Sequence, residues 1–167
     1  LQIRTLAPTA LAVAATAMAG TLATRPAVGS AWYAALAKPP YQPPRQAFPI
    51  AWTSLYTGIA VVSAQTLDES PPEVRRIYIG SLVINLILNG GWSWLFFNQR
   101  KLGASAITAG LLTASSADLT RRAAAVRGVK AAPLGLYPLW CAFATALSTH
   151  IWVLNRRLTT GPGAARS

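Results

Sequence analysis

The sequence predicts an all-α membrane protein, a five transmembrane helix bundle, on two observations. Of its 167 residues, 53% are hydrophobic in type and only 15 are basic and 4 acidic, which is too apolar for an ordinary soluble domain. The charges also leave five uncharged intervals, at 5–24, 46–67, 77–99, 102–117 and 131–155. Four of these hold 20 to 25 residues, and a helix rising 1.5 Å per residue needs about 20 to cross the hydrocarbon. A charged side chain at the bilayer centre costs a few kcal/mol even on lenient scales, so the charged gaps mark the membrane surfaces.

The first helix is expected at about 5–25. Arg4 followed by an apolar run and "AMAG" also resembles a cleavable signal,. The run is long for that, and Ala15, Ala19 and Ala23 recur at the four-residue spacing that lets helices approach closely,. "WYAALAKPPYQPP", Trp32 to Pro44, follows as a rigid aromatic loop, because proline lacks a backbone donor and clashes with the preceding helical turn,. The second and third helices are expected at 46–67 and 76–99. The fourth, at 103–126, extends past its short interval because no proline interrupts it through Asp118, Arg121 and Arg122, and arginines snorkel to headgroups,. The fifth is expected at 131–156. Residues 1–157 form one domain, and 158–167 are expected to be a disordered tail.

The net charge of +11 comes from basic residues dispersed along the gaps and flanks, with no stripe of interleaved aromatics. This argues against nucleic acid and for helix ends beside anionic lipid. Lys and Arg number 7 on one expected face and 8 on the other, which leaves the orientation and the identity of the membrane open. A single cysteine, Cys141, excludes an internal disulfide,. There is no Gly-rich phosphate loop, no Cys/His metal pair and no paired carboxylates in an apolar segment, so neither a metal nor a required cofactor is expected. His150 reads as a packed polar residue in preference to a ligand. Asp118 precedes Arg121 and Arg122 by three and four residues, the spacing of a same-face ion pair,.

The helix faces carry more information. Asn85, Asn89, Trp92, Ser93 and Phe96 share one face of the third helix, and amides facing lipid would be unsatisfied, so this face points into the bundle. Trp140, Phe143, Ala144, Leu147 and Ile151 form an equivalent stripe on the fifth helix, as do Phe48, Trp52, Tyr56 and Ile59 on the second. Trp140 falls roughly 14 Å into its interval, too deep for an interfacial aromatic belt. Trp52 and Trp92 lie roughly 10 Å from the side carrying the proline-rich loop. One cavity opening toward that loop is expected, its flat aromatic walls suited to a large, planar, mostly apolar ligand.

"WYAALAKPPYQPP", "FPIAWTSLY", "NGGWSWLFF" and "YPLWCAFATALSTHIWVLN" together resemble, in order and spacing from residue 32 to 155, the signatures of the TspO/translocator protein family, also called the peripheral benzodiazepine receptor family. The resemblance implies a five-helix fold, usually a homodimer in the lipid bilayer. It implies binding of porphyrins such as protoporphyrin IX and haem, with sterol or benzodiazepine-type molecules bound by some members. Matched residue by residue, the pocket tryptophans fall on Trp52 and Trp140, and the polar pocket residues on Asn89 and Ser93, with Trp92 and Phe96 beside them. Ala144 and Leu147 match a wall of the fifth helix, and Tyr33, Pro43 and Pro44 match the loop covering the pocket. Where the family has Leu-Asn and then an aromatic residue, this chain reads Leu147-Ser148-Thr149-His150.

The preferred expectation is therefore a multi-pass membrane protein that binds a tetrapyrrole and acts in porphyrin sensing, regulation or transport. The alternative is a light- and oxygen-dependent porphyrin-degrading enzyme in which Trp52 and Trp140 take part. A third reading is a scaffold whose aromatic faces only pack helices.

Overall fold

The computed structural model of the chain describes residues 1–159, with side chains to residue 156. The described residues form five long α-helices and one short one, without strands: α1 (Ile3–Val28), α2 (Ala31–Ala35), α3 (Ala47–Glu69), α4 (Pro72–Ser93), α5 (Leu102–Arg127) and α6 (Leu136–Thr159). Four stretches are long and apolar enough to cross a membrane: Ile3–Val28, Ala47–Glu69, Pro72–Asn98 and Leu102–Arg156, the last containing both α5 and α6.

Most boundaries fall within a few residues of those expected, and the departures have local causes. α4 starts at Pro72, earlier than 76, because proline is pre-shaped for the first helical position and Glu73 suits the positive N-terminal end,. It also ends differently: a π turn, Trp94–Asn98, follows it and Arg100 takes φ 57°. The wider turn brings Phe96 and Phe97 together at 4.7 Å between ring centroids, with both near Trp92 at 6.0 and 6.1 Å.

The fifth span was expected as one helix over 131–156. Instead, Gly128 turns the chain at φ 59°, residues Gly128–Gly135 form a 3₁₀ segment, and α6 begins only at Leu136. Pro133 lies in this segment, where a missing amide donor costs less than in an α-helix interior,. Rising about 2 Å per residue, the segment carries the chain well into the bundle before α6 starts. The tail expected from 158 lies outside the described residues beyond Thr159, and α6 occupies its first two positions.

The loop from Trp32 to Pro44 is also not wholly irregular, since α2 occupies its start. Its prolines begin only at Pro39, so nothing prevents one helical turn before them. Ser30 caps that turn, its Oγ accepting from the Tyr33 amide at 3.2 Å,.

α1 packs against α3 and α4, and α5 lies between α4 and α6. Along its own length α6 packs mainly on α5, while the 3₁₀ segment ahead of it packs on α3 and α5. The bundle is thus closed at the 3₁₀ end and splayed between α3 and α6 at the loop end. A main hydrophobic core including Ile59, Leu67, Leu119 and Tyr137 fills the closed part, and a smaller cluster of Phe96, Leu147 and Ile151 lies under the loop. Asp118 pairs with Arg121 and Arg122, each at 2.7 Å, as the three- and four-residue spacing requires.

Candidate functional site

The splay leaves a cavity of about 620 Å³, a size typical of small-molecule sites,. Tyr33, Phe48, Trp52, Tyr56, Trp92, Ser93, Phe96 and Leu147 of the sequence-expected set line it. Trp52 stacks on Tyr56 at 5.5 Å and lies 6.2 Å from Trp92, giving the cavity a broad flat wall. Behind this wall runs a chain of hydrogen bonds. Tyr56 Oη donates to Asn89 Oδ1 at 2.9 Å, Asn89 Nδ2 donates to Tyr137 Oη at 2.8 Å, and Tyr137 Oη donates to Asn85 Oδ1 at 2.8 Å. Asn85 Nδ2 then donates to Ser115 and Ser116 at 3.2 and 3.1 Å. Asn89 is therefore a buried support that orients Tyr56, not part of the cavity surface. Trp92 is fixed in the same way, its Nε1 donating to Ser148 Oγ at 3.3 Å.

Trp140 and Phe143 face elsewhere. They line a separate groove of about 380 Å³ between α3 and α6, together with Ala51, Ser54 and Leu139. Trp140 still touches the cavity wall from behind, at 6.4 Å from Trp52 and 5.9 Å from Phe48. The single expected cavity is thus two spaces with an aromatic partition of Phe48, Trp52, Trp140 and Phe143. Ala144 lines neither space, and Pro43 and Pro44 stay off the cavity surface while their neighbours Gln42 and Arg45 form part of it.

Sequence reasoning missed the wall supplied by α1: Ala17, Gly20, Thr21, Thr24, Arg25 and Val28. Apart from Arg25 these side chains are small, so they make room without supplying an aromatic or amide signal. Gly20 shows how close the helices come, since a Cβ there would lie 3.4 Å from Ser93 Oγ. Thr21 and Thr24 donate to the carbonyls of Ala17 and Gly20, so their hydroxyls offer the cavity acceptors only,. The small residues that stand out in the sequence by their four-residue spacing, Ala15, Ala19 and Ala23, do not line the cavity.

The loop covers the cavity and is tied down from two sides. On the α6 side, Ala37 and Asn155 exchange two hydrogen bonds, and Tyr41 Oη lies 3.0 Å from His150 Nδ1. On the π-turn side, Trp32 and Tyr33 pack against Phe96 and Phe97, and the Arg100 guanidinium lies 4.9 Å over the Trp32 ring. Within the loop the Lys38 ammonium donates to the Tyr33 and Leu36 carbonyls and lies over the Tyr33 ring. Loss of hydration lowers the Lys38 pKa from the ordinary lysine value,.

The sequence matches the TspO/MBR family profile over residues 8–153. The chain belongs to the TspO/MBR family. It is 34% identical over 137 residues to the translocator protein of Ovis aries, covering 80% of each chain. It is also 28% identical over 124 residues to the tryptophan-rich protein TspO of Bacillus cereus, covering 74% of this chain and 80% of that one. Identity to the protein CrtK of Rhodobacter capsulatus is 26% over 126 residues, 75% of this chain and 79% of that one. TspO/MBR membership and the apolar helices together make this an integral, multi-pass membrane protein of the bilayer.

Proposed function

We propose that this TspO/MBR protein binds a tetrapyrrole such as protoporphyrin IX or haem within the membrane and acts in its sensing, regulation or transport. The observation carrying the proposal is the cavity itself: about 620 Å³, faced by the stacked Trp52 and Tyr56 with Trp92 alongside, and covered by an anchored loop. Such a wall offers a planar conjugated molecule π-stacking and apolar contact over much of its area. The name of one relative, a translocator protein, agrees with a role in transport.

The porphyrin-degrading alternative has less support. The residues lining the cavity offer hydroxyls, an amide and arginines, but no carboxylate, imidazole or thiol,. Trp140, one of its two candidate residues, contacts Trp52 from the far side of the partition. The test is titration of the purified protein with protoporphyrin IX, followed by the pigment's own absorbance shift. Saturable one-site binding that weakens at least tenfold in Trp52→Ala supports the proposal. No saturable shift in the wild-type protein overturns it.

A further inference from the structure

The two ends of the bundle differ in charge. At the loop end stand Arg25, Lys38, Arg45, Arg100, Lys101 and Arg156, with no acidic residue among them. Toward the closed end lie all four acids of the chain, Asp68, Glu69, Glu73 and Asp118, together with seven basic residues. There the charges are partly matched, since Asp118 pairs with Arg121 and Arg122, and Glu69 pairs with Arg127. None of Arg25, Lys38, Arg45, Arg100 and Lys101 has an ion pair among the described residues.

Exposed aromatics repeat the asymmetry. Trp94 at the end of α4 and Trp152 near the end of α6 are each 39% exposed, and Tyr41 in the loop is 46% exposed. Tyr78 and Tyr137, nearer the closed end, are buried. Tryptophan and tyrosine with an apolar body and a polar tip favour the headgroup level of a bilayer. Cations are set among them: the exposed Arg100 lies 4.9 Å over the Trp32 ring, and the exposed Lys101 follows it.

We propose that the loop face is a docking surface for anionic lipid headgroups. A lipid phosphate is the partner this face meets in place, because the exposed aromatics set the same cations at headgroup depth in the membrane that the helices span,. Each unpaired Lys or Arg near an anionic membrane surface adds to the attraction, and guanidinium and phosphate match in charge and hydrogen-bonding geometry. At the closed end the chain's own carboxylates already hold Arg121, Arg122 and Arg127 and repel lipid phosphates, so the attraction there is weaker. No cavity ligand takes part, so the surface stands whether or not the tetrapyrrole reading holds.

The test uses nanodiscs of phosphatidylcholine with a minority of phosphatidylglycerol, one lipid or the other carrying bromine near the headgroup end of its acyl chains. Brominated lipid quenches the tryptophans it touches, and the exposed Trp94 and Trp152 both sit at the loop end, so quenching reports this face. In the wild type, phosphatidylglycerol should occupy the face at roughly threefold or more over its share of the membrane, and the excess should vanish at high salt. Arg25→Gln, Arg45→Gln and Lys101→Gln together should return occupancy to the bulk share, whereas Arg25→Lys with Arg45→Lys should keep most of the excess. The matched closed-end set, Arg4→Gln, Arg76→Gln and Lys130→Gln, should keep it as well. All six positions are exposed, and an unchanged far-UV spectrum checks each fold. Quenching that follows bulk composition in the wild type, an excess that survives the loop-face triple variant, or an equal loss in the closed-end triple variant overturns the proposal. Polyglutamate binding to the wild type in pure phosphatidylcholine, with no phosphatidylglycerol excess, would assign the face to an acidic protein and overturn it too.

Discussion

The side-chain amide of Asn155 forms two hydrogen bonds with the backbone of Ala37, 118 residues earlier: Ala37 N donates to Oδ1 at 3.0 Å and Nδ2 donates to the Ala37 carbonyl at 2.9 Å. An amide side chain here does what a neighbouring strand would do for a loop, satisfying donor and acceptor of one residue together. Asn155 is buried, and its Nδ2 also reaches the Ile151 carbonyl at 2.7 Å, which holds the amide in place on α6. The loop is therefore latched to the helix that forms the far side of the splay. Asn155→Ala should release the latch and speed porphyrin dissociation by up to about thirtyfold, given about 1 kcal/mol for each of the two lost bonds to Ala37,. Stopped-flow displacement checks this, and Asn155→Asp, which keeps the acceptor alone, should fall between.

The prolines of the loop make a second, separate contribution. Replacing Pro43 and Pro44 by glycine enlarges the number of open-loop conformations without removing any cavity wall. Exchange should quicken while stability falls by only about 1–2 kcal/mol for the two substitutions together. Unchanged exchange rates would reduce the loop to packing.

Tyr137→Phe tests the buried polar chain. It removes one hydroxyl but strands two partners, Asn85 Oδ1 and Asn89 Nδ2, inside the bundle. Each stranded group costs about 1–3 kcal/mol, so a loss of about 2–6 kcal/mol in detergent unfolding is expected. Tyr78→Phe should cost less, because its partner Ser63 at 2.9 Å can turn its hydroxyl to a helix carbonyl instead,.

Gly103→Val probes the α5–α6 contact that supports the splayed helix. A Cβ at Gly103 would lie 3.1 Å from Trp152 Nε1 and 3.2 Å from Cε2, tighter than ordinary contact. The indole must swing outward, and a loss of about 1–3 kcal/mol should appear in the same unfolding assay.

Illumination separates binding from degradation. The binding account expects wild type and Trp140→Phe to bleach protoporphyrin IX at similar rates without a bilin-like product. A discrete product that disappears in Trp140→Phe with binding retained would favour the enzyme.

Much of this fold was legible because charge spacing is a direct consequence of the bilayer: Arg4, Arg25, Arg100 and Lys101 mark helix ends. Where that rule misled, the backbone chemistry was local. Charges do not end a helix, so Arg75 and Arg76 fall inside α4, and Gly128 with Pro133 permits a 3₁₀ entry that no count of apolar residues shows. In the candidate site, aromatic and amide faces were readable from their three- and four-residue spacing. The partition was not, because whether Trp140 faces inward or outward depends on the register set by the 3₁₀ segment. The wall from α1 was hidden for the opposite reason, as a cavity is made partly by side chains too small to attract notice. Asn155 and Gln42 were equally silent, since a single amide gives no pattern until the loop folds over it.

The most direct test of the binding account fills the cavity instead of removing its walls. Thr21 is exposed and lines the cavity, so Thr21→Phe should fold normally, leave every tryptophan reporter in place and occupy the space a planar ligand needs. Equilibrium titration with protoporphyrin IX should show saturable quenching of tryptophan fluorescence in the wild type and affinity reduced at least tenfold in Thr21→Phe. Undiminished affinity in a folded Thr21→Phe protein would place the ligand outside this cavity and contradict the account.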